Sequence, residues 1–346
     1  MKTRVYQERH LNQKKVQEDI KNTLLLGGNV IFPTETVYGI GAYAFSEKGI
    51  GNIYKVKGRP SDNPLIIHIS KRSDVDKYSQ EHMPYVNVLM TEFWPGPMTL
   101  VLKKTNLVPK TITAGLDTVG IRIPSHHIAR KVIDIAGVPI CAPSANISGK
   151  PSATLFEHVL DDFQDKVDII IDGGKSMVGL ESTVIDATLQ FPVILRPGVI
   201  TKEMIKKVTH EVFDHKNIDE DHIPKAPGMK YRHYAPKGEL TIVEGSKKDV
   251  IQFINDQIDA HMKTGNLTGV ICTDDMKEDF HNAFVISMGK ITNEEEIASN
   301  LFLTLREMDK KQINFIYSIS FDQGKYKEAM MNRLLKAANN KYIHLP

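Results

Sequence analysis

Apolar residues recur along the chain at two spacings. Val16, Ile20 and Leu24 fall at helical intervals within residues 11–26, and Gly27 with Gly28 supplies a stop, so an amphipathic helix is expected there. Short apolar runs that read as strands lie at 29–32, 65–69, 98–103, 118–122, 138–142, 168–171, 182–187 and 193–196. Helical stretches are expected among them at 49–56, 73–81, 84–93, 127–136 and 201–212. This mixture predicts an α/β domain with a twisted mixed sheet over residues 1–212. Pro224, Pro227 and Pro236, set among charges, break the pattern, and 213–238 reads as a linker. Beyond it, strands at 240–243, 269–272, 283–287 and 315–319 alternate with helices at 248–262, 294–310 and 326–338. That alternation predicts a smaller, Rossmann-like parallel α/β domain over 239–346, although it carries neither a GxGxxG nor a P-loop.

Composition narrows the class of partner. The chain has 346 residues, a length that suggests two domains, with 41% hydrophobic and 25% charged residues. Its 44 basic and 42 acidic side chains leave a formal charge of +2, so an overall electrostatic attraction to nucleic acid or membrane is not expected. Cys141 and Cys272 are far apart in apolar settings, which gives no disulfide framework or zinc site and fits a reducing compartment. No apolar run reaches the length of a membrane helix, and the charged N-terminus does not read as a signal peptide. A cytoplasmic location is the expectation.

Against this neutral background, the segment Lys55-Val-Lys57-Gly-Arg59-Pro-Ser-Asp-Asn63-Pro-Leu65 is distinctive. From Lys48 to Arg59 there are four basic residues and no acidic one. A local positive excess in a neutral chain points to an anion site, and a solvated basic loop is the bland alternative. Other strand ends are also polar. Pro33-Thr34-Glu35-Thr36-Val-Tyr38-Gly39 follows the first strand, His68 closes the next, and Arg122 sits within an otherwise apolar strand. A buried guanidinium needs an anionic partner, so Arg122 implies either a protein carboxylate or a substrate carboxylate. Ser144, Asn146, Ser148 and Ser152 make a loop of hydroxyl and amide groups, and Ser182 and Arg196 end further strands. Ser144 has no nucleophile-elbow context. Trp94, in a rigid Pro-Gly-Pro turn, reads as a packing residue. Together these segments predict one composite pocket for a polyanionic ligand.

The segments FPTETVYGIGA, KVKGRPSDNPLIIHI, FWPGPMTLVL, TVGIRIP, APSANISGKPSAT, GLESTVID and ILRPG resemble the YrdC-like domain of the threonylcarbamoyl-AMP synthases. APGMKYRHYAP and the C-terminal part resemble the two-domain form of that family. The resemblance implies an enzyme that combines L-threonine, bicarbonate or CO2, and ATP into threonylcarbamoyl-adenylate and pyrophosphate. A separate threonylcarbamoyl transferase would then use the product to modify a tRNA adenosine next to the anticodon.

By the same resemblance, Thr36, His68, Arg122, Ala142 and Ser182 match threonine-binding positions. Arg59, Asn63, Thr118, Ser144, Ser152, Arg196 and Tyr234 match ATP-holding positions, with Lys55 and Lys57 beside them as phosphate partners. Lys57 and Arg59 are the expected charge-stabilising catalytic groups. Mg²⁺ is expected on the triphosphate, with no dedicated protein ligands. The linker containing Tyr234 is expected to fold over the site. Two other classes would also use a basic face of this kind: an RNA-binding module, and a nucleotide-binding regulatory module without turnover. RNA binding is not required by the reaction, and no membrane partner is expected.

Overall fold

The computed structural model describes residues 2–214 and 233–346, which cluster into two compact units. Unit 1 comprises residues 1–148, 152–177 and 181–230; unit 2 comprises 231–346 and takes in Gly149–Pro151 and Val178–Leu180. Most of the 213–238 linker, including Lys230, Tyr231 and Arg232, lies outside the described residues.

The strands of unit 1 are β1 (Arg4–Gln7), β2 (Val30–Phe32), β3 (Gly39–Tyr43), β4 (Ile66–His68), β5 (Met98–Lys103) and β6 (Thr118–Arg122). They continue with β7 (Ile140–Cys141), β8 (Ile169–Asp172), β9 (Thr183–Asp186), β10 (Val193–Arg196) and β11 (Phe213–Asp214). They join in one mixed sheet of order β1-β8-β2-β3-β7-β4-β6-β5-β9-β10-β11.

Alternation along each strand divides the apolar residues between the two faces. Ile31, Ile40, Cys141, Ile67, Ile121, Leu100 and Ile185 belong to one large core that runs under most of the sheet. The opposite face changes character partway across. Val30, Phe32, Ile140 and Ile169 are covered there by helices Lys14–Leu25 and His127–Ala136, through Val16, Ile20, Leu24, Ile128 and Val132. Over β4, β6, β5, β9 and β10 that same face carries the polar groups described below.

Sequence and structure part at identifiable places. The glycine-bounded segment after β2 reads as a turn, yet Gly39–Tyr43 is a strand paired antiparallel to β2. Glycine is required at position 41: a Cβ there would lie 2.7 Å from Phe32 Cε1 and 2.8 Å from Ile140 Cγ2. The stretch expected as one helix over 73–81 is a short turn, Arg72–Asp74, followed by Val75–Tyr78. Helix Phe156–Phe163 and strands β1 and β11 were not anticipated, and β11 lies within the expected linker, pairing Phe213 with Val193.

Unit 2 contains β12 (Glu239–Glu244), β13 (Thr268–Cys272), β14 (Phe284–Ser287), β15 (Phe315–Ile319) and β16 (Tyr342–His344). They form an all-parallel sheet of order β14-β13-β15-β12-β16. Val243, Val270, Cys272 and Tyr317 pack with Val250, Ile254 and Ile258 of helix Lys247–Lys263. The parallel α/β character matches expectation, and β16 is an additional edge strand. Cys141 and Cys272 are both buried thiols without a disulfide partner. Among the described residues, no helix is long and apolar enough to cross a membrane.

The close approach at Gly41 gives a stability test. Gly41→Val is expected to destabilise unit 1 by ~1–3 kcal/mol through overpacking. Gly51→Ala, in helix Glu47–Lys57 with nothing within 4 Å of the added Cβ, is expected to stabilise by ~0.5–1 kcal/mol. Urea unfolding followed by fluorescence of Trp94, buried in unit 1, distinguishes the two; equal midpoints for both variants would contradict the packing at Gly41.

Candidate active site

The register of the sheet determines which side chains share the polar face. Parallel pairing sets Ile66 beside Gly120 and His68 beside Arg122, so these four side-chain positions point the same way. Antiparallel pairing with β5 adds Val101 opposite Gly120 and Lys103 opposite Thr118. Pairing of β5 with β9 adds Thr99 beside Val184, and β10 places Arg196 opposite Val184. A shallow depression on this face is lined by Pro64, Ile66, Thr99, Thr118, Gly120 and Val184, among others. Gly120 keeps its middle low, since a Cβ there would come within 3.2 Å of Ile66 and 3.4 Å of Thr99.

One end of the face is built around a buried charge pair. Arg122 and Glu35 are only 5% and 2% exposed, and Arg122 Nη2 donates to Glu35 Oε1 at 2.7 Å. Nη2 also donates to Thr36 Oγ1 at 3.1 Å, and Thr36 Oγ1 lies 2.8 Å from Thr34 Oγ1. The backbone N–H of His126 donates to the other Glu35 oxygen at 3.4 Å. Burial alone would raise the Glu35 carboxyl, but the Arg122 charge and hydrogen bond, with local backbone N–H groups, hold it below the usual carboxylate value. Arg122 Nε is buried with no hydrogen-bond partner among the described residues.

His68 adjoins this pair. Its Nδ1 lies 3.2 Å from Ile66 O. Burial first, and then the Arg122 charge, push the imidazole down to about 3, so it is neutral at physiological pH. The same end holds Ser182, whose Oγ lies 2.8 Å from Thr99 Oγ1 and accepts from Arg196 Nη2 at 3.2 Å. Arg196 also donates through Nε and Nη2 to Ser182 O, at 3.1 and 3.0 Å.

The other end gathers different groups, because β7 runs antiparallel to β4 and delivers its following loop to the start of β4. Ala142 N donates to Ile66 O, and Lys57 Nζ donates to Ser144 O and Asn146 O. Lys57 is 2% exposed, so its ammonium braces this loop, while Lys55 lies exposed on the same helix. Arg59 Nη2 donates to Pro64 O at 3.1 Å. Thr118 begins β6 here and Asn63 precedes β4; neither side chain makes a hydrogen bond to another described residue. Ser144 Oγ donates to Asn146 Oδ1 at 2.6 Å, and buried Ser152 donates to Glu181 Oε1 at 2.7 Å.

Thr36, His68, Arg122 and Ser182 therefore share one end of the face, and Arg59, Asn63, Thr118 and Ser144 the other. Arg196, grouped with the second set from sequence, bonds directly to Ser182 of the first. Tyr234 belongs to unit 2, with its ring 5.0 Å from that of Phe302. Glu35, Thr99 and Glu181 were not singled out from sequence. Glu35 could have been: it is an acid in a Thr-rich turn after an apolar strand, in a chain whose buried Arg122 requires an anion.

His68 and Glu35 both bind fewer protons folded than unfolded in acid, so stability is full above the unfolded histidine value near 6.5 and is lost as pH falls towards the folded value. For His68 the window runs down to about 3, at up to ~1.4 kcal/mol per pH unit. His68→Gln is expected to flatten the pH dependence of Trp94-detected unfolding between about 6.5 and 4.5, above the Glu35 range. Superimposable profiles would rule out a buried neutral imidazole.

Comparisons with known proteins agree with this architecture. A family model described as "Telomere recombination" matches residues 22–198, and one described as the threonylcarbamoyl-AMP synthase C-terminal domain matches 200–339. The threonylcarbamoyl-AMP synthase of Pyrococcus abyssi is 46% identical over 322 residues, covering 92% of each chain. That of Bacillus subtilis is 42% identical over 316 residues, 91% of this chain and 90% of the relative. The solved structure of P. abyssi Sua5 complexed with L-threonine aligns over the full length of both chains, with a TM-score of 0.91 at 42% identity. With both domains matched in order and relatives of this similarity spanning nine-tenths of its length, the chain belongs to the threonylcarbamoyl-AMP synthase family of enzymes, in the two-domain form.

Proposed function

We propose that this chain converts L-threonine, bicarbonate or CO2, and ATP into L-threonylcarbamoyladenylate and pyrophosphate, with water released where bicarbonate supplies the carbon. The product would feed a threonylcarbamoyl transferase that modifies a tRNA adenosine next to the anticodon. The observation that carries this reading is the two-ended face. A buried Arg122–Glu35 pair with neutral His68 lies at one end, and Arg59, Asn63, Thr118 and Ser144 lie at the other; Thr118 and Arg122 are four residues, or ~13 Å, apart along β6.

The geometry suggests a division of labour. Threonine's carboxylate is assigned to the part of the Arg122 guanidinium that Glu35 and Thr36 do not use, where buried Nε has no partner among the described residues. Thr36 and Ser182 shape the pocket around the amino acid, and Ala142, bonded to Ile66 O, is assigned to its border with the nucleotide end. His68, neutral and adjacent, is suited to hydrogen-bond the threonine amine or hydroxyl without adding a second positive charge beside Arg122. The free amine captures CO2, and a carbamate oxygen attacks the α-phosphorus in line with departing pyrophosphate.

Arg59 and Arg196 neutralise charge developing on the phosphates, and Asn63, Thr118, Ser144 and Ser152 position the nucleotide. Lys57 is assigned chiefly to holding the Ser144–Asn146 loop, with Lys55 outside it as a phosphate partner. Mg²⁺ would enter on the triphosphate and offset its charge. Among the described residues no three His, Cys, Asp or Glu side chains converge into a metal site, so its ligands are assigned to nucleotide oxygens and water. Catalysis is assigned to 1–212, and the 213–238 segment with Tyr234 to a cover that excludes water from the labile adenylate.

Incubation with ATP, threonine and ¹³C-bicarbonate is expected to yield a threonylcarbamoyl-adenylate mass bearing one heavy carbon; pyrophosphate release without threonine dependence would defeat the proposal. Arg122→Lys keeps a cation against Glu35 but loses the planar fork, and is expected to raise the threonine KM at least tenfold while leaving that for ATP nearly unchanged. Arg59→Ala is expected to do the reverse, and identical effects on both substrates would collapse the two-ended assignment. Tyr234→Phe is expected to shorten the enzyme-bound lifetime of the adenylate; an unchanged lifetime would remove Tyr234 from the cover.

A further inference from the structure

Unit 2 has a cavity of its own, which the synthase reaction does not require. Helix Lys247–Lys263 connects β12 to β13, moving across the sheet towards β14, whereas helices Glu294–Lys310 and Lys327–Ala337 make their connections in the opposite direction. Right-handed crossovers place helices running in opposite directions on opposite faces. Their N-terminal ends then flank a crevice beyond the carboxyl ends of β12, β13 and β15, which is where open parallel sheets hold ligands. A cavity of about 470 Å³ lies there, within the ~300–1,000 Å³ typical of small-molecule sites.

Its lining restricts the ligand. Val250 and Met276 belong to the core on one face of the sheet, while Ile297 and Met330 come from the two helices on the other, and all four are buried. Apolar walls from both sides, with two polarisable thioethers, suit a flat heterocyclic ring. At the mouth, Asp322 is half-buried and makes only long contacts, 3.3 Å from Ser320 Oγ and 3.5 Å from Gln323 Nε2. Its carboxylate retains capacity for hydroxyl donors.

Polyphosphate is disfavoured here. Glu294 already occupies the amides leading into helix Lys327–Ala337, accepting from the backbone N–H groups of Lys325 and, at 3.2 Å, Tyr326. That is the position a phosphate takes at a helix N-terminus. Two lysines, Lys247 and Lys327, face three carboxylates, Asp275, Glu294 and Asp322, around the cavity. Lys247 is moreover bonded to Asp275 at 3.0 Å.

We propose that this cavity is a second small-molecule site that takes a ribonucleoside, with the base between the apolar walls and the ribose diol donating to Asp322. The proposal is independent of the reading of the catalytic site. Hydrogen exchange on the full chain with adenosine is expected to slow at 273–276 and 320–327, and ATP at equal concentration is expected to protect these segments less. By calorimetry, 2′,3′-dideoxyadenosine is expected to bind at least tenfold more weakly than adenosine, and Asp322→Asn to lose most of that difference.

Met330→Trp, which fills the cavity, is expected to abolish protection of both segments while threonine-dependent adenylate formation persists. Should that variant fail to fold, Asp322→Asn at the half-exposed rim still decides the matter. Protection by adenosine alone identifies a free nucleoside as the source, and protection also by single-stranded oligoadenylate identifies an unpaired RNA nucleotide. Unchanged exchange in both segments at millimolar adenosine, protection confined to unit 1, or equal affinity for the dideoxy compound would each overturn the proposal.

Discussion

The site depends on one buried ion pair. Arg122 cannot lie at the end of a central strand, 5% exposed, without an anion, because an unpaired guanidinium there carries a desolvation penalty of several kcal/mol. Glu35 meets that requirement and thereby fixes the Thr34–Thr36 turn, since Arg122 Nη2 bonds both Glu35 and Thr36. The pair also governs its neighbour: the Arg122 charge adds to burial in keeping His68 neutral. Removing either partner of such a pair typically costs ~3–5 kcal/mol, so the turn, the strand end and the imidazole behave as one unit. A guanidinium fully satisfied by protein would have no capacity left for ligand, but here Nε has no partner among the described residues.

Strand direction accounts for the second set of residues. If β7 ran parallel to β4, its following loop would emerge beside His68 and crowd the charged end. Antiparallel pairing, with Ile67 beside Cys141 and His68 beside Ile140, sends residues 142–146 to the start of β4, where Asn63 and Arg59 arrive. One sheet face thus presents two chemically different ends, and the middle is kept low by Gly120. The transition from helix-covered to polar surface follows from where helices Lys14–Leu25 and His127–Ala136 stop.

Much of this was legible in the chain. Helices Pro84–Phe93, His127–Ala136 and Glu294–Lys310, and strands β5, β6, β10 and β15, fall within the expected bounds because periodicity and caps agree there. β1 was missed because its residues are largely exposed at a sheet edge, so it lacks an apolar run. β3 was missed because Gly39 and Gly41 imitate turn chemistry, whereas Gly41 serves close packing against Phe32 and Ile140. Within the site, residue types were readable but pairings were not. Thr99 with Ser182, Ser152 with Glu181 and Arg122 with Glu35 join residues 83, 29 and 87 positions apart, and such separations are set by sheet order rather than by local pattern.

The basic segment shows how charge in a sequence can mislead about its use. Local positive excess at 55–59 suggested anion binding by every member, yet Lys57 is nearly inaccessible and directs its ammonium to Ser144 and Asn146 carbonyls. Arg59 likewise gives one nitrogen to Pro64 O. The Lys57 bonds tie the end of helix Glu47–Lys57 to the loop after β7, while the Arg59 bond closes the 59–64 segment on itself. A loop held by charge-assisted bonds to its carbonyls loses less conformational freedom when ligand arrives, which lowers the ordering cost of binding. Part of the charge therefore acts before any phosphate enters, by presenting Ser144 and Asn63 in a fixed arrangement, and the remainder is what a polyanion can meet.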